Sequence, residues 1–337
     1  MQKSLDEKLG RIVANPSCND FILADAKDAD MAFGISAPGI RDKNAPEHKR
    51  YRTIEEFRAQ IREIVEQRLV DVMLMSASTS DILAVRERIF DKSPITPAIR
   101  ANDTTDIWLA GSQANYGSQP SLPFRTAILD EVMDIGSAPV FGLNRAQVNL
   151  GLYSITFNND AMLDRASLEA YRAFREEARQ KDFRHFLEVF VPNAPIKPVA
   201  DVPRFVNDSI ARLLAGAGVS TRPIFLKIPY FGPEALEQLV SYDSSVVVGI
   251  LGGSAGTTFD AFQMLSEAKK HGAHAALFGR KINTCEHQLS FVKYLRRLAD
   301  GEIEPAEAVR AYHSDLDKLK IRPTRSLADD MAPTIAV

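Results

Sequence analysis

Short apolar runs recur along the whole chain, each followed by a charged amphipathic stretch, and this alternation limits the possible fold more than any other feature. The runs span residues 21–26, 70–77, 95–101, 149–157, 185–191, 223–230, 245–251 and 274–279. Such runs predict buried strands, and stretches such as 54–69, with apolar residues at helical spacing, predict the helices between them. Further helices are predicted at 80–90, 167–180, 204–215, 233–240, 258–271 and 287–298. Eight parallel βα units are the number that closes a (β/α)8 barrel, the TIM barrel.

An open, doubly wound sheet would show the same alternation. Such a sheet usually carries a GxGxxG turn after its first strand, and residues 24–34 contain none. Polar side chains instead fall at the ends of several different predicted strands, namely Asp25, Ser76, Arg100, Glu188 and Lys227. Strand ends that converge on one site are typical of a barrel. We therefore expect an α/β barrel in which Lys27, Ser76 and Arg100 are candidates for binding a substrate.

The barrel is expected to form one catalytic domain over residues 1–302, followed by a C-terminal helix and tail over residues 303–337. Two long segments, 27–53 and 102–125, follow predicted strands and would lie over the catalytic face. Such loops act as lids, as subunit contacts or as plain surface excursions. The long loops and the C-terminal extension favour a homo-oligomer.

The composition excludes several classes of protein. The 41 basic and 44 acidic side chains leave a net charge of -3, so a nucleic-acid partner is not expected. The two cysteines lack metal-ligand spacing, and the N-terminus has no apolar signal region. The uncharged run 244–259 is too short and too rich in glycine to span a membrane. These features predict a cytoplasmic protein with no membrane partner.

A lysine interrupts the sixth apolar run. Lys227 follows Phe225 and Leu226, and a strand covered on both faces buries its ammonium group whichever way the side chain points. Burial without a partner disfavours the charged form of a lysine. At the barrel mouth the neutral amine would be a nucleophile for a carbonyl carbon. A structural ion pair, or a side chain that reaches solvent at the strand end, would satisfy the same pattern.

Two carboxylates occupy comparable positions. Glu188 lies between Leu187 and Val189, one strand before Lys227, so adjacent barrel strands would bring the two together. Glu188 would then move protons during carbinolamine formation, or simply neutralise the lysine. Asp25 ends the first run, where it would take the proton of a substrate hydroxyl or cap a turn.

Glycine-rich turns follow the last two predicted strands. Gly252, Gly253 and Ser254 precede one predicted helix, and Gly279 and Arg280 follow the last run. Glycine lets backbone N–H groups approach an anion, and the arginine adds a cation. Loops after strands seven and eight of barrels commonly hold phosphate. The pattern predicts a phosphate site, although steric needs at βα turns would also explain the glycines.

These segments together resemble one family. The motifs are ADAKD, HFLEVF, FLKIP, LGGSAGTTFDAF and AHAALFGRKI. In order and spacing they are similar to the class I aldolases of the tagatose-1,6-bisphosphate and sulfofructose-1-phosphate aldolase group, within the Schiff-base aldolase superfamily. The resemblance implies that Lys227 forms an imine with the substrate, that Glu188 assists proton transfer and that Asp25 contacts the substrate. It places the phosphate at Gly252, Gly253, Ser254, Gly279 and Arg280.

The sequence departs from the family pattern in two places. The family's first strand usually reads like DQR, whereas here Asp25 is followed by Ala26 and Lys27. The family's fourth strand carries a lysine that grips the substrate. This chain offers other polar residues in that region, namely Tyr153, Thr156, Asn158 and Asn159, and Tyr153 is a further candidate for binding the substrate. Both changes concern the substrate more than the imine chemistry.

The expected activity is that of a class I aldolase, a carbon–carbon lyase acting on a small, phosphorylated ketose. Asp25, or failing that Tyr153, would take the hydroxyl proton whose loss drives cleavage. No metal or organic cofactor is expected, because a protonated imine is itself the electron sink. Two alternatives stay open: an isomerase, epimerase or decarboxylase that uses Lys227 and Glu188 without an imine, and a non-catalytic sugar-phosphate-binding regulatory barrel.

Overall fold

Eight parallel strands close into a barrel in which each strand pairs with its neighbours in the sequence and the last pairs with the first. The structure is a computed structural model that describes residues 1–110, 114–133, 148–253 and 256–334. The strands are β1 Ile22–Lys27, β2 Val72–Met75, β3 Thr96–Arg100, β4 Leu150–Thr156, β5 Arg184–Phe190, β6 Leu226–Ile228, β7 Val248–Leu251 and β8 Ala275–Phe278. Each lies within one residue of a predicted run, so the (β/α)8 prediction is confirmed.

Helices surround the barrel. The longer ones are α1 Ser4–Ala14, α2 Ile54–Gln67, α3 Ala161–Gln180, α4 Val202–Ala215, α5 Pro233–Tyr242, α6 Thr258–Lys270, α7 Gln288–Asp300 and α8 Pro305–Lys318. Short helices span Ala29–Phe33, Glu47–Arg50, Ala77–Ser80, Leu129–Met133, Arg280–Thr284 and Leu327–Met331. Within the described ranges, no helix has the length and apolar character needed to cross a bilayer.

Two helices begin at least three residues earlier than predicted, because polar side chains cap them. Asp160 accepts hydrogen bonds from the N–H groups of Met162 and Leu163, so α3 begins at Ala161 rather than at 167. Ser76 accepts from the N–H of Thr79, so the helix predicted at 80–90 begins at Ala77. It continues as wider π-helical turns over Asp81–Arg86. Caps of this kind satisfy backbone donors that the first turn leaves free.

The N-terminal helix α1 was not predicted, and it closes the bottom of the barrel. Leu5 and Ile12 are fully buried and belong to one apolar cluster with inward side chains such as Phe186 and Phe225. The ammonium group of Lys3 donates to three backbone carbonyls at the start of the third βα unit. The opposite end of the barrel, where the strands end, is therefore the accessible one.

Strand side chains alternate between the barrel interior and the helix layer. On β1, Ala24 and Ala26 belong to the interior cluster, whereas Leu23 packs with the helices. On β5 and β6, Phe186 and Phe225 are interior residues. Counting in steps of two from these anchors tells which residues at each strand end face the barrel mouth.

The C-terminal segment packs on the outside of the barrel. Helix α8 contacts α6 and α7, and the last short helix contacts α8. The carboxylate of Asp330 accepts from the N–H of Thr258 at 2.8 Å and lies 3.0 Å from Nε2 of His313. This tail therefore holds the first turn of α6, the helix that follows the turn after β7.

A histidine buried in the helix layer makes folding sensitive to acid. Nε2 of His185 lies 2.8 Å from Oη of Tyr171, and burial, reinforced by the nearby Arg175, lowers the pKa of His185 to about 3. Between pH 6.5 and 3 the unfolded chain binds a proton at this position that the folded chain does not. The free energy of unfolding therefore falls as the pH is lowered through this window, by about 3 kcal/mol between pH 7 and pH 4.

We expect the His185→Gln variant to lose about 3 kcal/mol less stability than the wild type between pH 7 and pH 4. Urea unfolding at the two pH values measures the difference. Identical pH dependence in both proteins would show that this histidine does not contribute.

Candidate active site

A lysine and a glutamate face each other at the barrel mouth. Glu188 on β5 is the register partner of Lys227 on β6, and both residues fall on the inward face set by Phe186 and Phe225. Nζ of Lys227 lies 2.6 Å from Oε1 of Glu188, and both side chains are almost completely buried. The strand pairing thus produces the contact that the sequence predicts.

The second oxygen of Glu188 extends this pair into a chain of alternating charges. Ser154 on β4 donates its hydroxyl to Oε2 of Glu188 at 2.7 Å, and Nη2 of Arg100 on β3 lies 3.6 Å from the same oxygen. Arg100 donates through Nη1 to Ser154 at 3.1 Å and through Nε to Oδ2 of Asp28 at 2.6 Å. Two cations and two anions are therefore paired across the ends of four strands.

The four charged side chains of this arrangement line a cavity of about 160 Å³. Its charged lining residues are Asp28, Arg100, Glu188, Lys227 and Arg280. Its apolar lining residues are Ala26, Ala29, Ala32, Phe33, Ile107, Ala110, Phe190, Leu251 and Leu277. A cavity of this size holds a molecule comparable to benzene. The site therefore suits a small metabolite, and any part of it that does not fit in the cavity would extend toward the opening.

Both long segments predicted to lie over the catalytic face contribute to the cavity wall. Ala29, Ala32 and Phe33 follow β1, and Ile107 and Ala110 follow β3. The second segment is fixed to β4 through Asp106, whose carboxylate accepts hydrogen bonds from Ser121 and Thr156. A covering role for these loops is therefore supported by the contacts.

The turns after β7 and β8 form the opposite wall. Gly252, Gly253, Gly279 and Arg280 all line the cavity, and Arg280 forms no ion pair with any described residue. The ammonium group of Lys281 donates to the carbonyl of Gly256 at 2.9 Å and thereby ties the two turns together. The predicted phosphate residue Ser254 lies outside the described residues.

Two glycines in these turns are required by close packing. A Cβ on Gly252 would lie 2.2 Å from the ring of Phe278, and one on Gly279 would lie 2.6 Å from the carbonyl oxygen of Ala26. The N–H of Gly252 donates to the carbonyl of Leu277 at 2.8 Å. Because that donor is already used within the barrel, Gly252 shapes the turn, and the prediction that its N–H group binds a phosphate is corrected.

Asp25 and Lys27 do not reach the cavity, which corrects the prediction that they contact the substrate. Both alternate with the inward Ala24 and Ala26, and so face the helix layer, where they are completely buried. Nζ of Lys27 lies 3.1 Å from Oδ2 of Asp25 and 2.6 Å from Oδ1 of Asn283. Burial raises the pKa of Asp25, and the positive charge of Lys27 opposes that rise. This pair is structural.

Asp28 occupies the position that sequence analysis gave to Asp25. It lines the cavity and is 6 % exposed, and its carboxylate is bonded to Arg100. The signal was present in the sequence, since Ala24, Ala26 and Asp28 continue one face at a spacing of two. Asp25, rather than Asp28, matches the family aspartate in the ADAKD motif, so the family resemblance points to the wrong residue.

Tyr153 and Ser76 were also predicted to bind the substrate, and neither lines the cavity. Tyr153 faces the helix layer, where its ring lies 4.9 Å from that of Tyr171 and 4.6 Å from that of Phe174. Burial raises the pKa of its phenol. Ser76 donates its hydroxyl to Asp30 at 2.5 Å, besides capping the helix after β2. Arg100, Glu188 and Lys227 are the predicted polar strand-end residues that do meet.

No three His, Cys, Asp or Glu side chains within the described ranges lie together as a metal site would require. The cavity instead offers an amine, two carboxylates, two guanidinium groups and glycine turns. An amine beside a carboxylate is suited to attack on a carbonyl carbon with proton transfer.

Comparison with solved structures identifies the architecture. An archaeal fructose 1,6-bisphosphate aldolase superposes with a TM-score of 0.60 at 16% identity, over 88% of this chain and 100% of the other. A structure described as a Schiff base forming fructose-1,6-bisphosphate aldolase gives 0.61 at 16% identity, over 88% and 100%. A fructose-bisphosphate aldolase from Slackia heliotrinireducens gives 0.64 at 12% identity, over 92% and 91%.

The protein therefore has the barrel fold of the Schiff-base class I aldolases, and the resemblance read from the sequence is confirmed at the level of the fold. No model of a protein family matches the chain. No curated protein matches its sequence.

The structural role of the Asp25–Lys27 pair can be tested by unfolding. We expect Lys27→Met to reduce the free energy of unfolding by about 3 kcal/mol, because it leaves a buried carboxylate without its partner. The double variant Asp25→Asn, Lys27→Met should recover most of that loss. Urea denaturation measures both. A Lys27→Met protein that is as stable as the wild type but inactive would show that Asp25 and Lys27 contribute to activity rather than to stability.

Proposed function

We propose that the protein is a class I aldolase that cleaves or forms a carbon–carbon bond in a small, phosphorylated ketose through an imine on Lys227. The observation that carries this proposal is the 2.6 Å contact between the Lys227 amine and the Glu188 carboxylate inside a small cavity at the barrel mouth. The fold supports it, since one structural neighbour is described as an archaeal aldolase with its catalytic lysine bound to a carbinolamine intermediate.

Imine formation begins with a proton transfer. Glu188 is placed to take a proton from the Lys227 ammonium group, which frees the nitrogen lone pair for attack on the substrate carbonyl carbon. The resulting carbinolamine loses its hydroxyl as water, with Glu188 returning the proton to the leaving oxygen. Ser154 and Arg100 hold the second oxygen of Glu188, so the carboxylate is kept facing the lysine.

Cleavage then requires a base for the hydroxyl group on the β-carbon, the carbon two bonds from the iminium carbon. Asp28 is the remaining carboxylate of the cavity, and we assign it this role in place of Asp25. As it takes the hydroxyl proton, the carbon–carbon bonding electrons move into the iminium ion, leaving an enamine on Lys227 and releasing an aldehyde. Protonation of the enamine and addition of water return the free lysine and the second product.

The turns after β7 and β8 are the proposed phosphate site. Arg280 supplies a cation without a carboxylate partner among the described residues. Gly253 has a positive φ of 59°, and a Cβ there would meet no atom within 4 Å. The open face of this glycine allows a phosphate to approach the backbone.

The imine can be tested by trapping. We expect incubation with dihydroxyacetone phosphate followed by borohydride to add the reduced ketose mass to the peptide that carries Lys227. Lys227→Met should abolish both the adduct and turnover, whereas the matched change Lys318→Met, on the outer helix α8, should leave both intact. Peptide mass spectrometry locates the adduct.

Other outcomes would identify the alternatives. Turnover that survives Lys227→Met would contradict the aldolase. Turnover of a sugar phosphate by the wild type without an adduct would indicate an isomerase, epimerase or decarboxylase that uses the same pair for proton transfer. Binding with neither adduct nor turnover would indicate a regulatory barrel.

The assignment of Asp28 gives a separate prediction. We expect Asp28→Asn to lower kcat for cleavage by a factor of about 10² to 10⁴, the range typical of a lost general base, while borohydride still traps the imine. Tyr153→Phe should change kcat less than threefold, because this ring lies in the helix layer. Steady-state kinetics measure both. A large loss in Tyr153→Phe with a normal Asp28→Asn protein would reverse the assignment.

A further inference from the structure

The cavity has one free cation among the described residues. Arg100 and Lys227 also line it, but Arg100 is bonded to Asp28 and Lys227 to Glu188. Arg280 is the remaining positive group, and it belongs to the turn after β8. Among the described residues, Arg280 is therefore the cation available to pair with an anionic group of the substrate, and it lies on the side of β7 and β8.

The wall supplied by the loops after β1 and β3 is apolar. Its residues in the cavity are Ala29, Ala32 and Phe33 from the first loop and Ile107 and Ala110 from the second. In the closed ring of eight strands β3 lies four strands from β7, so part of this wall stands across the cavity from the glycine turn. Asp28 is the charged lining residue from these two loops.

The residues that directly follow Ala110 and Gly253 in the sequence carry no charge. The residues after Ala110, 111–113, read Gly-Ser-Gln, and the residues after Gly253, 254–255, read Ser-Ala. A phosphate placed against Phe33 and Ile107 would lose hydration without gaining a positive partner, which is unfavourable. An alkyl group there would gain from burial, by about fourfold in affinity for each CH2 group.

We propose that the substrate carries a single anionic group and that the aldehyde it releases is uncharged and largely apolar. This inference rests on the proposed aldolase function and narrows it. With the carbonyl carbon at Lys227 and the phosphate at Arg280, the far end of the chain extends to the wall formed by Ala29, Phe33 and Ile107. Cleavage divides the substrate into two parts. The phosphorylated part stays on Lys227 as the enamine, and the other part leaves as an uncharged aldehyde.

The test compares aldehydes in the direction of synthesis. With dihydroxyacetone phosphate as the donor, we expect kcat/KM for butanal to exceed that for glyceraldehyde 3-phosphate at least 30-fold. We also expect kcat/KM to rise two- to fourfold for each CH2 group from ethanal to butanal. A preference for the phosphorylated aldehyde would overturn the inference, even if the imine forms at Lys227.

Variants of the apolar wall supply the matched comparison. Ile107 is half-buried, so Ile107→Lys can direct its ammonium group into the opening. It should raise kcat/KM for glyceraldehyde 3-phosphate at least tenfold, whereas the uncharged Ile107→Gln should not. Ala110→Lys provides a second position if the first variant folds poorly. Equal effects of lysine and glutamine would contradict a role for the missing charge.

Trapping with dihydroxyacetone phosphate distinguishes failure of the proposed aldolase function from failure of the inference about the released aldehyde. Absence of an adduct at Lys227 would overturn the proposed function, and the inference with it. An adduct together with a preference for the phosphorylated aldehyde would overturn the inference alone.

Discussion

A charged lysine can be kept inside a barrel only if a carboxylate pairs with it there. The arrangement of the strand ends at the barrel mouth depends on this pairing. Removing one partner of a buried ion pair leaves an uncompensated charge, at a cost of several kcal/mol. Glu188 meets Lys227 across neighbouring strands, and Arg100 connects Glu188 to Asp28 on the other side of the barrel. The ends of β1, β3, β5 and β6 are therefore held in one electrostatic arrangement.

Two walls of different character surround these charges at the barrel mouth, one formed by the turns after β7 and β8 and the other by the loops after β1 and β3. On one side, Gly252 and Gly279 allow the ends of β7 and β8 to approach their neighbours more closely than any other residue could. Lys281 and Asp330 hold the turn after β7 and the helix that follows it. On the other side, the loops after β1 and β3 present apolar side chains. In the proposed function, this asymmetry would distinguish the two ends of the substrate.

Much of the fold could be predicted from the sequence, because the eight apolar runs are regular and each strand is buried on both faces. The pairing of Lys227 with Glu188 could also be predicted, since adjacent strands of a barrel bring their ends together. Helix α1 could not be predicted as the barrel floor. Its apolar residues, Leu5, Leu9 and Ile12, form a narrow stripe on a polar helix, and their partners are distant in the sequence.

The errors at Asp25, Lys27 and Tyr153 have one physical cause. Strand side chains alternate, so an error of one position moves a residue from the barrel to the helix layer. Asp25 and Tyr153 were chosen by residue type and motif, and both face the helices. The next residue on each strand, Ala26 and Ser154, faces the barrel interior. Counting by two from Ala24 gives Asp28, which the structure places in the cavity.

The most direct test of the central claim is a crystal structure of the protein soaked with dihydroxyacetone phosphate. The claim predicts continuous density from Nζ of Lys227 to the second carbon of the ligand, with the phosphate beside Arg280 and the turns after β7 and β8. The account would be contradicted by a ligand bound without a covalent bond while Lys227 keeps its contact with Glu188. It would equally be contradicted by a covalent bond to another lysine.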